Sequence, residues 1–430
     1  MSERDIYVLP GLRSPFTKID TELAPLDAVQ LSVPVVQQTV IGPSGPGPGR
    51  DGEVDLVVWG SVIPTLSVSN WAREVWLDAG LEPHVPAHTI IEACGTSLAG
   101  ATHAAGQVGA GAVHLALVGG VESMSNTQIG LSRELSRTIR RAAGARGPSD
   151  ALSKVKGLKL RDIRLSIPGI TERSTGRTMG QHTEEMAKDW DIPRAEQDQL
   201  AFDSHRRSVA GAAAGFFRPL LVSTGTYAAD GDTIPRADTS LERLGELRPV
   251  FDRDSGTLTA GNSSPLTDGA AACWVASAEG TARIGDASPR ARLLDWEEAA
   301  IDPKTEGLLI APALAIPRLL QRNDLGYGDI AVWEIHEAFA AQVLVTIRAL
   351  ESSEWLRDRA GVERDLGSFP RDRMNPNGGS IALGHPFGAT GARILSQTVR
   401  ELAEMPAGSR AIVSICAAGG QGNVALLEAV

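Results

Sequence analysis

Two cysteines and one histidine in glycine-rich turns are the residues of this sequence best suited to chemistry. Cys94 lies in Glu-Ala-Cys-Gly-Thr-Ser-Leu at 92–98, and Cys416 is followed by Ala-Ala-Gly-Gly. His385 stands between them in the chain, in a segment with five glycines at 377–391. A thiol is a nucleophile, an imidazole is its natural base, and a second thiol can act as an acid or a base. These groups together indicate acyl transfer between thioesters.

The surroundings of Cys94 leave two interpretations open. The cysteine follows an apolar stretch and precedes a Gly- and Ala-rich segment, 97–108, that predicts a helix. A sulfur near the positive end of a helix dipole has a lowered pKa, which favours the thiolate. Taken alone, a cysteine at a helix start is more often a small buried hydrophobic residue. The glycines around His385, which let the backbone approach a ligand closely, favour the functional interpretation.

Cys416 and His336 lie where predicted strands end. Cys416 ends the apolar run 411–415, and the glycines after it lead into 423–427. This pattern predicts a hairpin whose tip could direct amide N–H groups at an oxyanion. His336 follows a predicted strand and precedes a predicted helix. It is either a functional group or a core residue whose hydrogen bonds are satisfied.

Other chemistries have little support in the sequence. The cysteines and histidines show no Cys-x-x-Cys or His-x-x-x-His spacing, so we predict no metal site. There is no Walker loop and no strand-linked GxGxxG motif. A formal net charge of −11, from 41 Lys and Arg against 52 Asp and Glu, argues against nucleic acid as a partner. Any phosphorylated ligand must therefore meet local positive charge.

The elements that must position these groups follow an α/β pattern. Short apolar runs at 56–60, 115–119 and 330–333 predict buried strands, and helical patterns alternate with them. The stretch 55–59 recurs in outline at 329–333, and each is followed by a reactive loop and an Ala- and Gly-rich helix. A chain of 430 residues also exceeds one ordinary core. We therefore predict two similar α/β halves.

A basic segment interrupts the first half. Residues 133–164 contain ten Lys and Arg and three acids, a local net charge of +7. Apolar residues at helical spacing predict two short amphipathic helices joined near Gly144, Gly147 and Pro148. The segment is either a solvated basic face or a surface for membrane headgroups or an acidic partner subunit.

Three cysteines in a long chain do not make a disulfide framework and indicate a reducing compartment. The N-terminus lacks the basic region and long apolar core of a signal peptide. No apolar run approaches the roughly 18 residues of a membrane-spanning helix. We predict a cytoplasmic protein.

Nearly the whole chain resembles the thiolases. The motifs that carry the resemblance are Arg13-Ser14-Pro15-Phe16, the turn at 92–98, Met179-Gly180 with Glu184, Gln197-Asp198, Ser204-His205, the segment 259–264, His336-Glu337-Ala338-Phe339, Gly384-His385-Pro386, and Cys416 with its glycines. The resemblance implies a duplicated five-layer α-β-α-β-α fold with an inserted loop domain. The implied parts are a first half at 1–285, containing the loop domain at about 126–249 with a basic hairpin at 131–165, and a second half at 286–430.

The resemblance also assigns roles to residues. It implies that Cys94 is the nucleophile that becomes acylated, His385 its base, and Cys416 the acid/base at the acetyl α-carbon. His336 would join His385 in an oxyanion hole for the thioester carbonyl, and the amides of Cys94 and Ala418 would form a second one. The positions that match the coenzyme A tunnel and the acyl site are Met179, Ser264 and Phe339. Coenzyme A would be a substrate, with no permanently bound cofactor.

Three departures from the commonest thiolase pattern narrow the resemblance. His336, Ala418 and Pro265 replace an Asn and two Gly residues, and with the basic segment they resemble the β-subunit of the trifunctional fatty-acid oxidation complex. This implies a 3-ketoacyl-CoA thiolase (acetyl-CoA C-acyltransferase) of fatty-acid β-oxidation. The enzyme would be a homodimer or tetramer. Its further partners would be a hydratase/dehydrogenase α-subunit and a membrane surface that it contacts peripherally. A short-chain acetyl-CoA C-acetyltransferase and a scaffold or docking subunit remain alternatives.

Overall fold

The computed structural model describes residues 5–42, 47–156, 158–159, 162–163, 165–166, 171–285 and 288–430. The strands are β1 Ile6–Arg13, β2 Thr17–Lys18, β3 Leu56–Ser61, β4 Ala87–His88, β5 Leu115–Glu122, β6 Gly130–Leu131, β7 Leu165–Ser166, β8 Thr267–Ser277, β9 Ala291–Ala300, β10 Val332–Ile335, β11 Arg410–Ala417 and β12 Gln421–Ala429. The α-helices are α1 Ala28–Ile41, α2 Trp71–Asp78, α3 Thr96–Ala110, α4 Arg133–Ala143, α5 Pro148–Val155, α6 Met179–Asp189, α7 Arg194–Ala213, α8 Leu241–Gly245, α9 Ala278–Ile284, α10 Pro312–Arg322, α11 Ala340–Leu350, α12 Ser353–Trp355, α13 Ser380–Leu383 and α14 Thr390–Leu402. The strands predicted at 56–60, 115–119 and 330–333 correspond to β3, β5 and β10.

The main strands form one mixed sheet in the order β10-β11-β12-β9-β1-β8-β5-β3-β4. Each half of the chain has an antiparallel part and a parallel part, for example β5 on β8 and β3 on β5 in the first half. The halves meet where β1 pairs with β9 at Tyr7↔Arg292 and Val8↔Ala291. Sequence patterns did not predict this short junction, because neither strand's composition specifies its neighbour.

Three hydrophobic clusters divide this sheet and its helices into five layers. One outer cluster packs α1 and α2 on the first half's strands, and the other packs α10 and α11 on the second half's strands. The third cluster lies between the halves and joins both sets of strands to α3 and α14. β8 alternates between clusters, with Cys273 in the central one and Trp274 in an outer one, as the period of a strand requires. The predicted α-β-α-β-α fold is confirmed.

The central helices α3 and α14 pack with their backbones close together. A Cβ atom on Gly391 would lie 2.4 Å from the backbone nitrogen of Leu98, so this contact requires glycine. α14 is almost wholly buried and α3 is mostly buried, and α3 confirms the helix predicted at 97–108. Because Cys94 lies just before α3 and His385 just before α14, the contact brings the two reactive loops to one place.

Residues 63–67 and 127–170 form a compact unit of their own. It contains α4, α5 and the two-stranded β6–β7 ladder, so the two predicted amphipathic helices are confirmed. Arg161 and Arg164 of the basic segment lie outside the described residues. Residues 171–249, also predicted to belong to the loop domain, cluster with the larger unit. The proposed boundary between 285 and 286 stays a prediction.

Among the described residues, no helix combines the length and the apolar character that crossing a membrane would need.

Candidate active site

Cys94, His336 and His385 converge from three different elements. The sulfur of Cys94 and one nitrogen of each imidazole all lie within 4.8 Å of one another. The two rings are 4.1 Å apart between centroids and tilted by 50°. Both histidines are buried, His336 directly after β10 and His385 in the loop before α14. The structure therefore brings together three of the groups that the sequence singled out.

A strained turn presents Cys94. Ala93 has φ of 44°, in the left-handed region that a residue with a Cβ seldom adopts. The Thr96 hydroxyl donates to the Ala93 carbonyl at 2.8 Å and accepts from the Glu92 amide at 2.8 Å, which holds the turn. Backbone strain of this kind concentrates at functional sites. The sequence contained no signal for it, since alanine does not mark a left-handed position.

The predicted helix-dipole effect on Cys94 is wrong for the free protein. The α-helix begins at Thr96 rather than at the cysteine, and burial raises the pKa of the Cys94 thiol to about 12. Removing the thiolate from water raises the pKa by more than the backbone amides of Ala418 and Cys94 lower it. Cys94 is therefore a neutral thiol that needs a base.

Two backbone amides point at the Cys94 sulfur, those of Cys94 itself and of Ala418, and both oppose the rise of its pKa. Ala418 follows β11, where the predicted hairpin is confirmed as β11 and β12. The left-handed residues of its tip are Gly419 and Gly420, with φ of 86° and 78°. Ala418 is not among the left-handed residues, so its Cβ is tolerated without loss of the amide.

Cys416 lies at the end of β11 and is buried. Burial first, and then the neighbouring Cys94 sulfur, raise the pKa of the Cys416 thiol well above its ordinary value. Cys416 is therefore a protonated thiol, a group that has a proton to give.

The hydrogen bonds of His385 fix which ring nitrogen carries its proton. The Thr390 hydroxyl donates to the Pro386 carbonyl at 3.0 Å, so its oxygen is left to accept from His385 Nδ1 at 2.7 Å. His385 Nδ1 is therefore protonated, and Nε2 presents a lone pair. Burial, and next the Arg393 guanidinium, lower the pKa of His385 to about 3. A neutral imidazole is the form that accepts a proton.

Burial of neutral His385 gives a testable pH dependence of stability. Its pKa is about 3 when folded and ordinarily 6.5, so its stabilising contribution is complete above pH 6.5 and is lost as the pH falls toward 3. For His385→Asn we expect the unfolding free energy to depend less steeply on pH, by about 1.4 kcal/mol per pH unit between about pH 6 and pH 4. Urea unfolding across that range measures this. The exposed control His88→Asn should keep the wild-type slope, and an unchanged slope in His385→Asn would contradict the burial argument.

His336 is held by partners on both sides of its strand end. Its amide donates to the Ser414 carbonyl at 2.8 Å, and its Nδ1 lies 2.9 Å from the Ser380 hydroxyl. Burial, followed by the charges of His385 and Arg393, lowers the pKa of His336 well below its usual value.

Asn375 and Glu337 support this loop, and sequence reasoning assigned a role to neither. The Asn375 side chain pairs with the backbone of Ile335 at 2.8 and 2.9 Å and donates to the Glu337 carboxylate at 2.6 Å. Glu337 also accepts from the Ser204 hydroxyl at 2.7 Å. The signal was present in Asn375-Pro376-Asn377-Gly378-Gly379, a turn-rich run beside the His385 loop.

Of the remaining predicted site residues, only Ser264 belongs to the lining of a cavity of 380 Å³. Ser264 lines the cavity, and its hydroxyl donates to the Ala338 carbonyl at 2.9 Å. Leu266, another lining residue, forms a backbone bridge with His385, so the wall of the cavity is joined to the His385 loop. Met179 and Phe339 are half-buried against the core of the second half and do not belong to this lining.

One thiol and two imidazoles this close would also suit Zn²⁺, so the trio alone does not separate acyl transfer from metal binding. Comparison with known proteins separates them. The thiolase N-terminal domain model matches residues 6–279, and the thiolase C-terminal domain model matches residues 287–429. The chain belongs to the thiolase family. Thiolases are acyltransferases, and the enzyme class inferred from the cysteines and His385 is confirmed.

Individual thiolases match over their full length. The 3-ketoacyl-CoA thiolase of Pectobacterium atrosepticum is 36% identical over 428 residues, which cover 98% of this chain and 96% of the relative. The human mitochondrial 3-ketoacyl-CoA thiolase, solved in complex with CoA, has a TM-score of 0.82 and 28% identity, with 99% and 98% of the two chains covered. The acetyl-CoA acetyltransferase of Bacillus anthracis has a TM-score of 0.81 and 29% identity, with 100% and 99% covered.

Proposed function

We propose that this thiolase is a 3-ketoacyl-CoA thiolase, which cleaves a 3-ketoacyl-CoA with coenzyme A to acetyl-CoA and a shortened acyl-CoA. The observation that carries the proposal is the arrangement around Cys94. A neutral thiol lies beside an imidazole whose free nitrogen is unprotonated, beneath two amide N–H groups, with a protonated thiol nearby. Each group is in the protonation state that cleavage requires.

The first half of the reaction forms an acyl-enzyme. His385 Nε2 takes the Cys94 proton, and the sulfur attacks the 3-keto carbon. The resulting oxyanion faces the amides of Cys94 and Ala418. When the bond between C2 and C3 breaks, its electron pair passes to the enolate of acetyl-CoA, and Cys416 protonates C2. His336 and protonated His385 stabilise the enolate oxygen.

The second half returns every group to its starting state. The Cys416 thiolate takes the proton of incoming coenzyme A, whose sulfur attacks the Cys94 thioester. Cys94 leaves as a thiolate and regains its proton from His385. The coenzyme A proton thus ends on Cys416, which replaces the proton given to C2, and the reaction balances without a cofactor.

Coenzyme A is anionic, so a protein of net charge −11 must supply positive charge locally. Lys18 and Arg236 line the 380 Å³ cavity beside Ser264 and lie at exposed positions. Cavity and cations together fit a pantetheine arm that enters past Ser264 while its phosphates stay near the mouth.

We expect Arg236→Ala to raise KM for coenzyme A by about tenfold, the effect of losing one charge-assisted contact of about 1.4 kcal/mol, while kcat is retained. Steady-state thiolysis at low ionic strength measures both constants. Arg243→Ala is the matched control, because Arg243 is exposed and paired with Asp238 at 2.6 Å outside the cavity lining. An equal rise of KM in both variants would indicate a diffuse charge effect rather than a phosphate contact.

A short-chain acetyl-CoA acetyltransferase is the second candidate, favoured by the equally good structural match to the Bacillus anthracis enzyme. Thiolysis of acetoacetyl-CoA beside 3-ketohexadecanoyl-CoA, with Cys94→Ala as the blank, separates the two. We expect a higher kcat/KM for the long substrate. A preference for acetoacetyl-CoA would move the protein to short-chain metabolism.

We also infer a cytoplasmic homodimer or tetramer whose unit at 127–170 contacts a hydratase/dehydrogenase subunit or a membrane surface. Supporting this, α4 carries four arginines, and Ile139 and Leu152 are exposed on α4 and α5. Co-purification with such a partner should weaken as salt is raised, whereas salt-independent binding would count against docking by charge.

A further inference from the structure

A buried chain of hydrogen bonds runs from α14 to His336. Arg393 Nη2 donates to the Ser380 hydroxyl at 2.9 Å, and the same hydroxyl lies 2.9 Å from His336 Nδ1. All three residues are at most 2% exposed. Neither Arg393 nor Ser380 belongs to the groups that react in the proposed function.

The direction of these bonds follows from what each group can donate. A guanidinium only donates, so the Ser380 oxygen accepts from Arg393 and keeps its own proton for another partner. Among the described residues, the partner recorded for that proton is His336 Nδ1. The opposite arrangement would leave a buried hydroxyl proton without an acceptor, which costs about 1–3 kcal/mol. His336 Nδ1 therefore accepts, and the ring proton lies on Nε2.

His385 has the opposite tautomer, because Thr390 accepts from its Nδ1. The Nε2 atoms of both rings are buried and, within the described part of the chain, have no hydrogen-bond partner. His336 Nε2 therefore offers an N–H, and His385 Nε2 offers a lone pair. An oxyanion needs the first and the Cys94 proton needs the second, so the two roles are divided before substrate arrives.

Gln397 links Arg393 to two buried carboxyl groups of the same network. Its Nη1 donates to Gln397 at 3.3 Å, and the Gln397 amide donates to Glu334 at 3.1 Å and to Glu401 at 3.4 Å. Burial raises the pKa of Glu401 to about 7 and that of Glu334 well above its ordinary value. The guanidinium also lowers the pKa of both histidines, which keeps them neutral.

We propose that Arg393, acting through the Ser380 hydroxyl, is a positioning residue that fixes His336 as the Nε2–H tautomer. The pair His336 and His385 thereby starts each turnover as one hydrogen-bond donor and one base. This inference rests on the proposed function for its catalytic meaning, but the tautomer itself is a property of the free protein.

The test is nitrogen NMR of the full-length protein labelled with ¹⁵N-histidine, recorded without substrate. The His336 signals are identified by their loss in His336→Asn. Wild type should show a protonated Nε2 and an unprotonated Nδ1 at His336, with the reverse at His385. Ser380→Ala should shift His336 toward the Nδ1–H form while His385 is unchanged.

Thiolysis by the same proteins supplies the second readout. Ser380→Ala should lower kcat by about 10- to 100-fold while KM for coenzyme A is retained. This is less than the roughly 10²- to 10³-fold loss of a deleted oxyanion donor, because the imidazole remains and only its tautomer shifts. Ser396→Ala is the matched control, because Ser396 is a buried α14 hydroxyl that donates to the Ala272 carbonyl at 2.9 Å, away from the histidines. It should lose stability but keep both kcat and the wild-type tautomers.

An Nδ1–H tautomer at His336 in wild type would overturn the proposal by itself, even if Ser380→Ala fails to fold. So would a Ser380→Ala protein with the wild-type tautomer and kcat. If the tautomers are as expected but no variant catalyses thiolysis and neither does wild type, the positioning is upheld and the proposed function fails.

Discussion

Cys94→Ala is expected to lower coenzyme A-dependent thiolysis by about 10⁴-fold or more, the scale seen when a covalent nucleophile is removed. No other thiol can take its place. Cys416 is buried at the end of β11 with its own raised pKa, and the two amides that would stabilise the oxyanion are directed at the Cys94 sulfur. Initial rates with a 3-ketoacyl-CoA and saturating coenzyme A measure the loss.

Cys273→Ala is the matched control for this prediction. Cys273 is a buried thiol on β8 in the central hydrophobic cluster, away from the histidines. Its removal should cost stability through lost packing and leave the rate of thiolysis near wild type. Thiolysis by Cys94→Ala at a rate close to wild type would show that no acyl-enzyme forms on Cys94.

Cys416→Ala should separate the two chemical steps. Cleavage between C2 and C3 needs a proton donor for C2, so thiolysis should fall by about 10³-fold, within the range of lost general acid catalysis. Exchange of labelled coenzyme A into a saturated acyl-CoA breaks no carbon–carbon bond and needs no acid at C2. Cys416 serves there only the coenzyme A thiol, a group acidic enough to exchange its proton with water. That exchange should persist.

The measurement compares thiolysis and label exchange in the same Cys416→Ala preparation, with His385→Asn as a reference that should lose both. An equal loss of the two activities in Cys416→Ala would make Cys416 a structural support for the Cys94 site. Unimpaired thiolysis would exclude it as the acid at C2.

The sequence named the reacting side chains because their types and neighbours carry information. Cys94 and His336 each lie between a strand and a helix, His385 lies between α13 and α14, and the structure brings their reactive atoms within 4.8 Å. The raised pKa of Cys94 could not be predicted from the sequence, because burial of its sulfur depends on packing by both halves. The positive φ of Ala93 could not be predicted either, because the surrounding hydrogen bonds impose this conformation on an ordinary residue.

Positioning residues were harder to find than reacting ones. Ser380 and Arg393 reach His336 only because α13 and α14 fold back on β10, and a serine or arginine in a helix has no visible function in a sequence. The fold was predicted more fully, since strands, the helix α3 and the five layers follow from apolar patterns and from the family resemblance. The β1–β9 pairing and the docking of residues 171–249 with the larger unit depend on tertiary contacts instead.

Acylation of Cys94 is the claim on which the proposed function depends, and mass spectrometry of the intact protein tests it most directly. Wild type incubated with a 3-ketoacyl-CoA without free coenzyme A should gain the mass of the shortened acyl group, located by peptide mapping on Cys94 and removed by added coenzyme A. The Cys94→Ala protein should gain nothing. An acyl group on another residue, or turnover by wild type with no acylated protein at any time, would contradict the proposed mechanism.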